Sequence, residues 1–322
     1  MELFFAISGL VNALTSTILG IFVVMKNKKS KANQTFAFFC FCVAAWSYAY
    51  IFWPLAKDAP TTLFWFRVLH LGAFYVSVAL LHFVAVWLGV FQKKKKLIIF
   101  GYVISSFFAL FAFSSLFIKE VVPKFSMRYW ANPGILYHFY LIHFFSYTLC
   151  ALYLLIKAYR KSSSIQKMQA RFILIGMIIT YIAGSTNYFL WYNINIPPYL
   201  NIFASAYVIS IAYAIIRYRL MDIRVGVRKS FIYIALSTFA YAVFYGVAGA
   251  FKTAFGDVFA SQGYIIGIFV ALAFTGLFFL VQKYSHKFVN KYLYASVYNT
   301  QKTLEDLANG LHNLIKLDQI ID

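Results

Sequence analysis

TLFWFRVLHLGAFYVSVALLHFVAVWLGVF, residues 62–91, is followed almost at once by four lysines at residues 93–96. A helix that crosses about 30 Å of hydrocarbon needs roughly 20 apolar residues, and this stretch is long enough. Lysine and arginine collect at the cytoplasmic ends of membrane helices. The stretch therefore predicts a transmembrane helix whose C-terminal end faces the cytoplasm.

Eight further stretches have the same apolar character. They lie at residues 3–25, 32–55, 97–118, 135–156, 172–192, 200–216, 231–251 and 263–281. The spans of a β-barrel would be near ten residues long with alternating polarity, unlike these. The sequence predicts an all-α polytopic bundle of about nine transmembrane helices, followed by a cytoplasmic amphipathic helix.

The charges give this bundle an orientation. Only 12% of the 322 residues are charged, against about a quarter in soluble domains. Five clusters hold 23 of the 29 basic residues, and each cluster follows an odd-numbered span: residues 26–31, 93–96, 157–171, 217–229 and 283–316. The N-terminus is expected outside and the C-terminus in the cytoplasm. The net charge of +20 then indicates membrane topology and a lipid partner, not nucleic-acid binding.

Polar residues at membrane depth suggest a ligand site near the outer side. Arg67 and His70 are three residues apart in the third span and share one helix face. Trp130 lies in the outer loop 119–134, and Asn187 begins a polar segment at the end of the sixth span. We take Arg67, His70, Trp130 and Asn187 as candidate ligand-binding residues. Two interpretations of Arg67 stay open, since it could instead extend to lipid headgroups.

Other chemistry-bearing residues do not form a reactive set. No Asp or Glu lies in the middle of a span, which argues against an ion-coupled transporter. His138 and His143 are five residues apart and do not form the i, i+4 pair of a helical metal site, so we expect ordinary hydrogen-bonded histidines. The three cysteines lie in apolar stretches. No catalytic residue, metal or cofactor is predicted.

Four of the six tryptophans, Trp53, Trp65, Trp130 and Trp191, lie at predicted outer ends of spans. Tryptophan commonly anchors membrane proteins at the headgroup level. The first expectation is therefore an aromatic belt that faces the lipid headgroups.

The C-terminal tail, residues 283–322, has a different pattern. Apolar residues recur at alternating spacings of three and four, including Leu304, Leu307, Leu311 and Leu314. This spacing fits the seam of a two-stranded coiled coil. It predicts a signal-transmitting helix that forms a homodimer together with the last spans. A single amphipathic helix packed on a following domain is the alternative.

Three segments carry a family resemblance. AYAIIRYRLMDI (residues 212–223) is the most specific, and residues 31–56 and 64–74 add a matching pattern of aromatic and small residues. Over about residues 5–225 the chain resembles the seven-helix sensor region of bacterial membrane histidine kinases. The resemblance implies three parts: a sensor region at 1–225, two additional spans at 226–282, and a tail at 283–322 that leads toward a GAF-type domain.

The resemblance implies a receptor in the bacterial inner membrane. An unidentified small molecule or membrane stimulus would act on the spans and, through the tail, on a cytoplasmic kinase module in cis or trans. The chain has no HExxxP phosphoacceptor motif and no glycine-rich ATP-binding box, so it is expected to be non-catalytic as written. A transporter or permease component, or a membrane-embedded transferase, remains an alternative.

Overall fold

The computed structural model describes residues 2–162, 164–218 and 220. The last two predicted spans, the last basic cluster and the tail positions Leu304, Leu307, Leu311 and Leu314 lie outside the described residues.

Seven helices and one β-hairpin form the described chain. The helices are α1 (Glu2–Lys26), α2 (Lys31–Tyr50), α3 (Ala59–Trp87), α4 (Phe91–Leu110), α5 (Ile135–Lys161), α6 (Ser164–Ser185) and α7 (Ala206–Tyr218). A helix is confirmed at each of the first seven predicted spans.

Among the described residues, four helical segments are long and apolar enough to cross a membrane: Glu2–Lys26, Ala59–Trp87, Ile135–Lys161 and Ser164–Tyr192. The last of these is α6 continued by two 3₁₀ turns, Thr186–Tyr188 and Leu190–Tyr192. The helical membrane bundle is thus supported, whereas the total of nine spans and their orientation remain predictions.

Local sequence explains where the helices start and stop. Asp58 caps α3, because its carboxylate accepts hydrogen bonds from the Thr61 backbone N–H (2.8 Å) and hydroxyl (3.0 Å). These bonds lower the pKa of Asp58. The turns after α6 end at Asn193, whose φ of 57° is left-handed. A further 3₁₀ segment, Tyr199–Ser205, leads from Pro197 and Pro198 into α7.

The connection between α4 and α5 departs from the predicted all-α fold. Strands β1 (Ile118–Lys124) and β2 (Met127–Pro133) pair antiparallel, with Val122 opposite Trp130. Paired β-branched and aromatic residues favour this geometry. Pro123 lies at a register shift, where a missing backbone N–H is tolerated.

Most of the helices close into a ring. α2 packs against α1 and α3, α3 against α5, α5 against α6, and α6 against α7, while α1 contacts α7 and the 3₁₀ segment before it. α4 packs against α3 and α5 from outside. Only Ile98, Gly101, Ser105 and Phe108 of α4 are buried, and they form one stripe at helical spacing.

The outward surface of the bundle is apolar. Its exposed side chains include Phe41, Phe100, Val103, Leu110, Ile142, Leu149 and Ile182. Soluble monomers rarely expose contiguous apolar surface on this scale. The exposed faces are therefore suited to lipid, in agreement with the composition.

One close helix contact depends on a missing side chain. A Cβ at Gly72 of α3 would lie 2.5 Å from the Trp46 backbone N and 2.8 Å from the Cys42 carbonyl O of α2. Rigid backbone cannot move away cheaply, so α2 and α3 approach as closely as they do because residue 72 is glycine.

We expect Gly72→Ala to lower the free energy of unfolding by about 1–3 kcal/mol, the usual cost of overpacking. Gly184→Ala in α6 is the matched control, because a Cβ there meets nothing within 4 Å. Unfolding of the purified chain in mixed micelles measures both variants. Equal stability of the two variants would contradict this explanation of the α2–α3 contact.

Candidate functional site

A cavity of about 90 Å³ lies inside the bundle. Its walls come from α2, α3, α5, α6, the turns after α6 and strand β2. Many of these residues belong to the core cluster that also contains Phe5, near the start of α1, and the hairpin. The other core cluster contains Val23 and Phe36, next to the first basic loop. The cavity thus lies toward the end of the bundle that carries the hairpin.

Three of the four candidate residues meet at this cavity. His70, Trp130 and Asn187 line it, although 117 residues separate the first from the last in sequence. Arg67 is not among the lining residues. Its Nη2 donates a hydrogen bond to the Ile118 carbonyl O (3.3 Å), which joins α3 to the start of β1. The ligand-binding role of all four stays a prediction.

The cavity wall is mainly aromatic. Eleven lining residues are Phe, Tyr or Trp: Phe39, Trp46, Tyr50, Phe66, Trp130, Tyr137, Tyr140, Phe144, Tyr181, Tyr188 and Trp191. Most were not singled out from sequence. A signal was present on α5, where the spacing of Tyr137, Tyr140 and Phe144 places three rings on one helix face.

The expected aromatic belt is wrong for three tryptophans. Trp53, Trp130 and Trp191 are 3%, 1% and 4% exposed, so they are core side chains and do not face headgroups. Trp53 packs edge-on against Trp130 with ring centroids 4.9 Å apart. Trp191 stacks on Tyr137 at 4.0 Å and 13° between the ring planes. Position near a span end did not reveal which way these rings face.

His70 is held in one tautomer inside this aromatic wall. Its Nδ1 lies 2.6 Å from the Phe66 carbonyl O, which can only accept, so Nδ1 carries the proton. In the neutral ring, Nε2 is then an acceptor. The rings of Phe117, Trp191 and Tyr137 approach the imidazole edge-on at 5.1, 5.6 and 5.8 Å.

Asn187 connects the cavity to a buried hydrogen-bond network. Its Oδ1 accepts from the Tyr50 hydroxyl of α2 (2.8 Å), and its Nδ2 donates to the Gly184 carbonyl O and to Asn201 Oδ1, each at 2.9 Å. Through these three hydrogen bonds the amide joins α2, the end of α6 and the 3₁₀ segment that precedes α7.

The network continues from Asn201 into α1. Asn201 Nδ2 donates to Ser8 Oγ (3.1 Å), and Asn12 Nδ2 donates to the Asn201 carbonyl O (3.0 Å). Asn201, Ser8 and Asn12 are fully buried. Asn201 therefore holds a core position between α1, the end of α6 and the 3₁₀ segment before α7.

Lys124 fixes the hairpin to the wall of the cavity. It is 5% exposed, and its Nζ donates to the carbonyl oxygens of Leu190 (3.0 Å), Ala131 (3.3 Å) and Trp191 (3.5 Å). Burial lowers the pKa of Lys124, and the carbonyl groups replace part of the water that the ammonium loses. Cations also suit the last carbonyls of a helical turn. No pattern in the sequence indicated this contact.

The two histidines of α5 are hydrogen bonded, as predicted. His138 Nδ1 pairs with the Tyr192 hydroxyl at 2.8 Å. His143 Nε2 lies 3.1 Å from Ser105 Oγ, whose proton is donated to the Phe74 carbonyl O. His143 therefore donates to the serine. Within residues 2–162 and 164–218, no three His, Cys, Asp or Glu side chains come together as a metal site.

The arrangement is suited to binding. Among its described lining residues the cavity has no Asp, Glu, Lys or Arg. A buried, mostly apolar pocket with a few polar groups is the usual form of a small-molecule site.

The comparison with protein families gives a match over most of the described chain. The family model described as the N-terminal 7TM region of histidine kinase matches residues 9–224. This range includes every residue that lines the cavity, and it confirms the resemblance found in the sequence. No curated protein and no solved structure matches the chain.

We expect Lys124→Met to loosen the hairpin, because it removes an ammonium from three buried carbonyl groups at a cost of about 1–3 kcal/mol. Lys119→Met is the matched control, since Lys119 is exposed on the same strand. Hydrogen–deuterium exchange of the β1 and β2 amides is the measurement. Faster exchange only in Lys124→Met is the expected result, and equal exchange in both variants would show that the contact does not hold the hairpin.

Proposed function

The chain belongs to the family of N-terminal 7TM regions of histidine kinases, and from this premise we propose that it is the receptor part of a two-component signalling protein in the bacterial inner membrane. A molecule entering the aromatic cavity would be the signal. The chain itself would be non-catalytic and would control a cytoplasmic kinase module in cis or trans.

The observation that carries this proposal is the position of the cavity. Four helices and the hairpin contribute to its wall, so a bound molecule could contact several of them at once. An occupant can shift an equilibrium only if it interacts differently with two states. A cavity shared by separate elements meets this condition, since a change in helix packing changes its shape.

A route from the cavity toward the C-terminus supports the same proposal. Asn187 lines the cavity and binds Asn201, which lies in the 3₁₀ segment just before α7. α7 packs tightly on α6, where a Cβ at Gly176 would come 2.6 Å from Ser210 Cβ. Movement of Asn187 would therefore be transmitted to α7. From there the signal would pass to the two additional spans and a dimeric tail helix.

The orientation follows from charge. The basic clusters at residues 26–31, 93–96 and 157–171 lie at the helix ends opposite to the hairpin. By the positive-inside rule those ends would be cytoplasmic. The hairpin and the cavity would then lie toward the outer side, with the N-terminus outside and the C-terminus in the cytoplasm.

Cavity variants are expected to change kinase output. In a chimera of this chain with an intact histidine kinase core, Ala73→Leu would partly fill the cavity and Trp130→Ala would enlarge it. Each would alter autophosphorylation, by about tenfold for a 1.4 kcal/mol shift between the two states. Trp65→Ala is the control, because Trp65 stacks on Phe52 outside the cavity. Unchanged output in both folded cavity variants would refute the sensor role of the cavity.

Cysteine labelling on intact cells tests the orientation. Ser126→Cys in the hairpin turn would react with a membrane-impermeant maleimide from outside, whereas Asn27→Cys would react only after lysis. Both positions are exposed, and Cys150→Ser removes the one partly exposed native thiol among the described residues. The opposite labelling pattern would invert the proposed topology.

A further inference from the structure

We propose that the cavity receives a small neutral molecule that carries a carbonyl-type hydrogen-bond acceptor on an apolar body. This inference rests on the proposed sensor function, because it names the chemical class that would act at the same site. Neither the family description nor the fold specifies any ligand.

None of the described lining residues is Asp, Glu, Lys or Arg, so a charged ligand would leave water without a charged partner in the cavity wall. Moving an isolated charge into such surroundings is far more costly than moving a hydrogen-bonding neutral group. A free carboxylate or ammonium is therefore disfavoured on solvation alone.

Aromatic walls can also bind cations through their ring faces. The charges next to this cavity are positive. Arg67 follows the lining residue Phe66, and Lys124 Nζ lies 3.5 Å from the carbonyl O of the lining residue Trp191. Neither cation has an acidic partner among the described residues. Their field opposes a second cation and favours the negative end of a ligand dipole.

Two residues of the cavity wall carry hydrogen-bond donors that have no partner among the described residues. Trp130 Nε1 and the Tyr137 hydroxyl are buried and have no hydrogen-bond partner within the part of the chain that the structure describes. Both residues line the cavity and are at most 1% exposed. An indole N–H can only donate, so its partner must be an acceptor. Buried donors are rarely left unpaired without a functional reason.

Both donors are held on fixed rings. Tyr137 stacks on Trp191, and Trp130 packs edge-on against Trp53 (4.9 Å) and Phe66 (5.4 Å). Neither donor atom has accessible surface in this arrangement, so a ligand carbonyl would reach it through a displacement of a ring. Because the rings are packed, little rotamer freedom would be lost on binding.

The volume of the cavity limits the size of the ligand. A cavity of about 150 Å³ holds benzene, which has six heavy atoms. By proportion, 90 Å³ holds a molecule of about four heavy atoms without side-chain movement. Larger ligands of the same class would need the hairpin or a ring to move, which is also what a sensor requires.

A matched set of probes with four heavy atoms tests the class: acetone, isopropylammonium, acetate and isobutane. The full chain is labelled with 5-fluorotryptophan in lipid nanodiscs, and the ¹⁹F resonance of Trp191 is followed, assigned with Trp191→Phe. Acetone is expected to shift this resonance in a saturable manner, whereas neither ion does. Trp130→Phe and Tyr137→Phe should each weaken acetone binding about three- to tenfold and leave isobutane unaffected. Trp65→Phe should change nothing.

Three outcomes would overturn the inference. They are an ion that binds more tightly than acetone, acetone binding that neither phenylalanine variant weakens, and no saturable shift with any probe. The thermal unfolding of each variant without probe shows that it is folded. If acetone binds but no cavity variant changes the output of the kinase chimera, the sensor role is refuted and the ligand class is kept. If cavity variants change kinase output but an ion binds more tightly than acetone, the ligand class is refuted and the sensor role is kept.

Discussion

Within a membrane, a buried polar group is costly unless the protein supplies its partner, and the amide of Asn187 meets this constraint with three hydrogen bonds. Its amide binds α2 through Tyr50, the end of α6 through Gly184, and the turn before α7 through Asn201. The same residue forms part of the cavity wall. Losing the amide would leave several buried groups unpaired at once, so the arrangement of α2, α6 and α7 depends on it.

In the proposed receptor, this node would link the cavity to signalling. Hydrogen bonds inside a protein are directional, and a network of them has few alternative arrangements of comparable energy. A molecule that pushes on Asn187 would not deform the bundle gradually. It would favour one packing of α7 over another, which is the form of change that a receptor needs. The hairpin, held by Lys124, would cover the outer side of the cavity.

Much of the described fold could be predicted from the sequence, because hydropathy fixes the helices and lysine clusters mark their ends. His70 and Asn187 could be chosen as candidates because polar residues are scarce in the predicted spans, whereas Trp130 was chosen from the outer loop 119–134. Arg67 satisfied the same criterion, yet it binds the hairpin backbone and does not line the cavity. Spacing along one helix cannot tell which neighbour a long side chain reaches.

The remaining errors have one physical origin. Tryptophans near span ends can face headgroups or the core, and only the packing of other helices decides, as it does for Trp53 and Trp191. Lys124 lies in the predicted outer loop 119–134, and only the fold of the hairpin places it against Leu190 and Trp191. Contacts between distant segments are set by the tertiary fold, and no local pattern in one sequence contains them.

The central claim is that the cavity and α7 are coupled through Asn187. Hydrogen–deuterium exchange across Ala206–Tyr218 tests it most directly, in Asn187→Ala compared with Asn195→Ala, whose side chain is exposed. Faster exchange at the start of α7 in Asn187→Ala alone is the predicted result. Unchanged exchange in α7, with both variants folded, would contradict the coupling.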